Sequence, residues 1–95
     1  MTDWSDKAEV LAAVQENGWE LENASDELKA DPDVVLAAVK SSGYALRFAA
    51  DEMKADREVV LAALQEDGGV IEHAADELKA DREIVLAAGT AGGIN

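Results

Sequence analysis

A block of twenty-five residues, Asp56–Ala80 (DREVVLAALQEDGGVIEHAADELKA), recurs along the chain at a fixed step. Asp6, Asp31, Asp56 and Asp81 open the copies, and Gly18, Gly43 and Gly68 follow twelve residues after the first three. Leu21, Leu46 and Ile71 come next, then Ala24, Ala49 and Ala74, then Leu28, Met53 and Leu78. Lys29-Ala30, Lys54-Ala55 and Lys79-Ala80 close the copies. A period of about 20–50 residues marks stacked repeats, in which no single unit hides its own apolar face. The expected architecture is all-α: a right-handed, solenoid-like stack of about 3.5 short helical repeats. The repeats span 6–30, 31–55 and 56–80, with a half-repeat at 81–88 and a flexible glycine-rich tail at 89–95. No internal linker divides 1–95, so a single domain is expected.

Each copy should open with a helix. Asp31 is a suitable N-cap for the free amides of a first turn, and Pro32 suits the first helical position, where its missing N–H costs nothing. Asp33, Glu58 and Glu83 place negative charge at the positive end of the helix dipole. In the first copy Ser5 or Asp6 is the cap, and Asp6 with Glu9 has capping-box spacing. Val35, Leu36, Ala38 and Val39 form an apolar face, and alanines at 37–38, 62–63 and 87–88 permit close helix approach. The glycines then read as left-handed stops, with Trp19 against Val14 and Tyr44 against Val39. Gly69 takes the place of Trp19 and Tyr44 in the third copy, which makes that corner the loosest.

In the second half of the unit, Leu46, Ala49 and Met53 lie at i, i+3 and i+7, one helical face. Ser25 before Asp26-Glu27 is a second N-cap. Ala50 and Ala75 cannot cap, which leaves a continuous helix open there. The favoured reading is a short turn, 3₁₀ in type, followed by a second short helix. Trp4 precedes the first helix. It either covers the open end of the first repeat or faces a partner.

The D-x-E-V-V-L-A-A opening, the glycine after the helix, the L-x-x-A turn and the E-L-K closing resemble a short helical repeat family known as domain of unknown function 4116. The resemblance covers Asp6 to about Ala88. It departs at Asn23 and His73, which stand where family members often have an aromatic, and at Gly69. The resemblance implies an all-helical stack. It implies no catalytic residue and no activity.

Composition narrows the function classes. The chain has no cysteine, which excludes disulfides and thiolate zinc sites. Its net charge of −13 disfavours nucleic acid and anionic membranes and favours a basic partner. No apolar run reaches the length of a membrane span and no leader pattern opens the chain, so a soluble protein without signal peptide is expected. Although 48% of residues are apolar, many are alanine, so the core is thin.

The search for chemistry yields little. His73 is the single histidine, and it takes the place of Asn23 and Phe48 as a packing residue. No calcium-loop pattern, phosphate loop or Ser-His-Asp set is present. The pairs Asp26-Glu27, Asp51-Glu52 and Asp76-Glu77 recur with lysine close behind and read as a solvated ridge. No catalytic, cofactor-binding or metal-binding residue is assigned, no cofactor is expected, and the chain is not expected to be an enzyme.

The copies differ in charge. Asp31, Asp33, Asp51 and Glu52 against Lys40, Arg47 and Lys54 leave the second copy at −1. The third, with Asp56, Glu58, Glu66, Asp67, Glu72, Asp76 and Glu77 against Arg57 and Lys79, stands at −5. The near-neutral copy carries Tyr44, Arg47 and Phe48, residue types that anchor interfaces. These three are the candidate partner-binding residues. Against that stands a packing role, with Tyr44 in the helix stop and Phe48 between repeats. The expected function is a non-catalytic protein-interaction or scaffold module, monomeric or within a larger complex. The alternatives are a small structural subunit and an acidic mimic of nucleic acid.

Overall fold

The computed structural model describes residues 3–74 and 76–91, and those residues are helical with no strand. Four ten-residue helices, α1 (Lys7–Glu16), α3 (Pro32–Ser41), α5 (Arg57–Glu66) and α7 (Arg82–Ala91), open the copies. Each of the first three is followed by a six-residue 3₁₀ segment: η1 (Gly18–Asn23), η2 (Gly43–Phe48) and η3 (Gly68–His73). A four-residue helix then closes the copy: α2 (Asp26–Lys29), α4 (Asp51–Lys54) or α6 (Asp76–Lys79). The main contacts of each long helix are with the long helix before and after it, and neighbouring 3₁₀ segments also touch. No described helix is long and apolar enough to cross a membrane.

The helix starts follow local chemistry. Asp31 Oδ1 accepts from the Asp33 and Val34 amides, and Asp56 Oδ1 does the same for Glu58 and Val59. Asp6 caps α1 through the Glu9 amide, but Glu9 does not close the capping box. Its carboxylate accepts instead from Asp3 N–H, 3.1 Å away.

The helix ends overturn the left-handed stop. Asn17, Ser42 and Asp67 leave the helices in extended backbone, with φ of −149°, −148° and −157°. The Gly18 amide donates to Ser41 Oγ of the next copy, and the Trp19 amide donates to Asn17 Oδ1. Neither is therefore left for a Schellman bond. Close approach, not backbone freedom, is the reason for glycine. A Cβ on Gly18 would strike the Ala38 carbonyl, and one on Gly43 would lie 2.7 Å from the Ala63 carbonyl.

The split between the 3₁₀ segment and the short helix is a tertiary matter. Ser25 Oγ caps α2 through the Leu28 amide, but Ala50 provides no side-chain cap for α4, and the chain breaks there all the same. The Ala50 amide donates to the Lys29 carbonyl of the preceding copy at 2.9 Å. The matching amide of Ser25 donates to the Trp4 carbonyl at 2.8 Å. Asp3–Ser5 thus stand where Leu28–Ala30 stand one copy later. Trp4 is half-buried against the core, in agreement with the end-covering reading. The reading of Ala75 lies outside the described residues.

The core is aliphatic and contains no polar residue among those described. Leu21, Leu46, Ala24, Ala49, Ala74, Leu28 and Met53 are buried, as the repeat pattern requires; the side chain of Ile71 lies outside those described. In α3 the buried face is Val34, Val35, Ala38 and Val39, while Leu36 is only partly covered. The last helix also differs from expectation, since α7 runs three residues beyond Ala88, through Gly89 to Ala91. The rest of the expected tail, 92–95, lies outside the described residues.

Candidate partner-binding surface

The 3₁₀ segments carry the aromatic residues, and the repeat step decides how they meet. Position two of each segment holds Trp19, Tyr44 or Gly69, and position six holds Asn23, Phe48 or His73. The Trp19 ring meets Phe48 of the next copy edge-on, with centroids 5.5 Å apart. Tyr44 meets His73 of the copy after it in the same way, at 6.0 Å. The Arg47 guanidinium lies 5.3 Å from the centre of the Phe48 ring, a cation–π contact.

The three candidate residues therefore share one segment but not one cluster. Arg47 and Phe48 join Trp19, whereas Tyr44 turns towards the third copy. Gly69 leaves the room that Tyr44 fills, since a Cβ there would lie 2.8 Å from the phenolic oxygen. The Asp67 carboxylate beside that oxygen pushes the Tyr44 phenol above its ordinary value, helped by burial and by Glu72. His73 is half-buried, with the Glu72 carboxylate 3.6 Å from Nε2.

Trp19 is the member that sequence reasoning missed. It is 44% exposed, more than any other described aromatic, and its ring meets the next copy. The available signal was its distance from Phe48, one repeat plus one helical turn.

Acidic groups gather elsewhere. The carboxylates of Asp3, Asp6 and Glu9 lie within 4.8 Å of one another, all exposed. Local bonds explain that gathering, because Asp3 accepts from Ser5, Asp6 from the Glu9 amide and Glu9 from the Asp3 amide. The pairs Asp26-Glu27 and Asp51-Glu52 are exposed, as a solvated ridge requires. Open grooves of about 500 and 480 Å³ run between successive long helices, floored by Leu11, Leu36 and Leu61.

Residues 6–54 and 56–89 match the family described as Domain of unknown function (DUF4116). The chain belongs to that family. No curated protein and no solved structure matches it. Membership in DUF4116 accounts for the repeat pattern and leaves the role of the aromatic cluster to be argued from its geometry.

Proposed function

We propose that this DUF4116 chain is a non-catalytic protein-interaction or scaffold module, built as a right-handed, solenoid-like stack of about 3.5 repeats. The sequential contacts of the long helices support the stacked reading. The observation that carries the functional reading is the Arg47–Phe48–Trp19 cluster. It joins an exposed guanidinium and an aromatic ring of the near-neutral second copy to the 44% exposed Trp19 ring of the first. Arg and Trp dominate binding energy at interfaces when a partner seals them from water. The occupant is a protein surface with an apolar knob for the rings and basic groups for the acidic copies on either side. Tyr44 adds rigidity through His73 more than contact area.

Affinity capture from the source cell tests this, with wild type and the Trp19→Ala/Arg47→Ala variant as parallel baits. Both side chains are exposed, so the variant keeps its fold. A partner held by wild type, lost by the variant and still bound at high salt is the expected result, since salt screens exposed charges but not apolar contact. Equal recovery by the two baits would sink the proposal.

A further inference from the structure

The two outermost long helices are finished differently. Val10, Val35 and Val60 occupy one position of the repeat and are fully buried, each with a further long helix following it in the chain. Val85 is the fourth member of that series and is 47% exposed. Position 85 therefore belongs to the face of a helix that the next copy seals. The position before it behaves in the opposite sense. Val34, Val59 and Ile84 are buried, whereas the first copy has Glu9, exposed, so this position faces the preceding copy.

The charges follow the same logic. Lys7 reaches forward to Asp31 at 3.1 Å and Asp33 at 2.9 Å. Arg57 reaches forward to Asp81 and Glu83 in the same manner. Arg82 holds the equivalent place on α7, is exposed, and makes no ion pair among the described residues. α7 thus presents the forward half of a seam: an aliphatic side chain and a cation. The backward half lies on α1. There Asp6 is the counterpart of Asp31 and Asp81, Ala12 and Ala13 are counterparts of Ala37 and Ala38, and Asp3 and Glu9 add carboxylates beside Asp6. Asp3–Ser5 already supply the turn that closes a repeat.

We propose that α7 docks a second copy of this chain, head to tail, on the α1 face of that copy. Arg82 pairs with Asp6 and Glu9 of the second copy, and Val85 covers its Ala12–Ala13 floor. The joint continues the internal seam but replaces one aliphatic contact by Glu9, so it is weaker than the seams within the chain and depends on salt. A contact between unlike faces leaves one half-seam open at each end of a pair, so assembly continues past two copies into a ring or a filament. This surface is separate from the Trp19–Phe48–Arg47 cluster, and the proposal does not rest on the function assigned to it.

Sedimentation equilibrium of the full chain over a wide concentration range, at low and high salt, reads the joint directly. The expected result is an average mass that climbs beyond two copies with concentration at low salt and falls back at high salt. Val85→Glu weakens association about tenfold, the scale of losing one buried anchor. Arg82→Glu weakens it at low salt only, and mixing that variant with Glu9→Lys restores a joint between the two. Should Val85→Glu prove poorly folded by circular dichroism, the exposed Arg82→Glu variant carries the test. A monomer at every concentration, or association unchanged by both α7 variants, would overturn the proposal. So would assembly that stops at two copies and ignores Glu9→Lys, because two α7 faces would then be meeting each other.

Discussion

The seam between α3 and α5 lacks something that the seams on either side possess. Lys7 ties α1 to the start of α3, and Arg57 ties α5 to the start of α7. In the second copy that position is Pro32, and no described cation pairs with Asp56 or Glu58. The middle seam is nevertheless well sealed, with Val35 of α3 fully buried and Val59 of α5 1% exposed. The ion clamps therefore accompany the packing of successive long helices and do not cause it. What the seams have in common is apolar burial, and in the first two a glycine is pressed against the next helix. The magnitudes agree, since an exposed ion pair contributes about 0–1 kcal/mol and a large buried aliphatic side chain several times that.

Substitutions in the unclamped middle of the molecule sharpen that contrast. Leu46→Ala, at a fully buried position, should cost roughly 2–5 kcal/mol, read as a fall in the urea midpoint; a loss below about half a kcal/mol would remove Leu46 from the core. Gly43→Ala should cost about 1–3 kcal/mol, because the added methyl presses on the Ala63 carbonyl. The sign is informative here. Without that close approach, the same change would stabilise by about 0.4–1 kcal/mol through the unfolded chain.

Two smaller effects concern features that one copy has and the next lacks. Ala50→Ser gives α4 the cap that Ser25 gives α2, and should raise stability by about 1 kcal/mol in thermal melts. Pro32→Arg installs the missing clamp opposite Asp56 and Glu58. Its gain should stay below about 1 kcal/mol and disappear at high salt, and a larger, salt-resistant gain would show the clamps to be structural after all.

The clamped seam also has an acid signature. Burial at Asp31 pushes its carboxyl up, but the hydrogen bonds from Lys7 and from the Asp33 and Val34 amides prevail and hold it below its ordinary value near 3.8. A carboxyl depressed by folding stabilises above its unfolded pKa, and that contribution is lost as pH falls through the lower folded value. Stability measured from neutral pH downward should therefore fall less steeply below about pH 4 in Lys7→Met than in wild type. Identical slopes would show that Lys7 does not hold the Asp31 charge.

Much of the fold is legible in the sequence because its signals act over short distances. Asp31 caps the amides two and three residues on, and Leu46, Ala49 and Met53 share a face through helical spacing. Several of the misreadings involve a partner in the next copy. Gly18 looked like a helix stop because its contact with the Ala38 carbonyl lies twenty residues downstream. Tyr44 and Phe48 looked like one patch because they share a segment, yet their rings point to different neighbours. The contact of Trp19 with Phe48 was not legible because it joins two copies.

The sequence by itself determined the unit, its step, the helix starts and the aliphatic positions, since caps and periodic faces act within about one helical turn. Only the tertiary structure decided why glycine follows α1 and α3, where Ala50 breaks the chain, and which aromatic rings meet. Those features depend on how close one copy lies to the next, a distance that no single copy encodes.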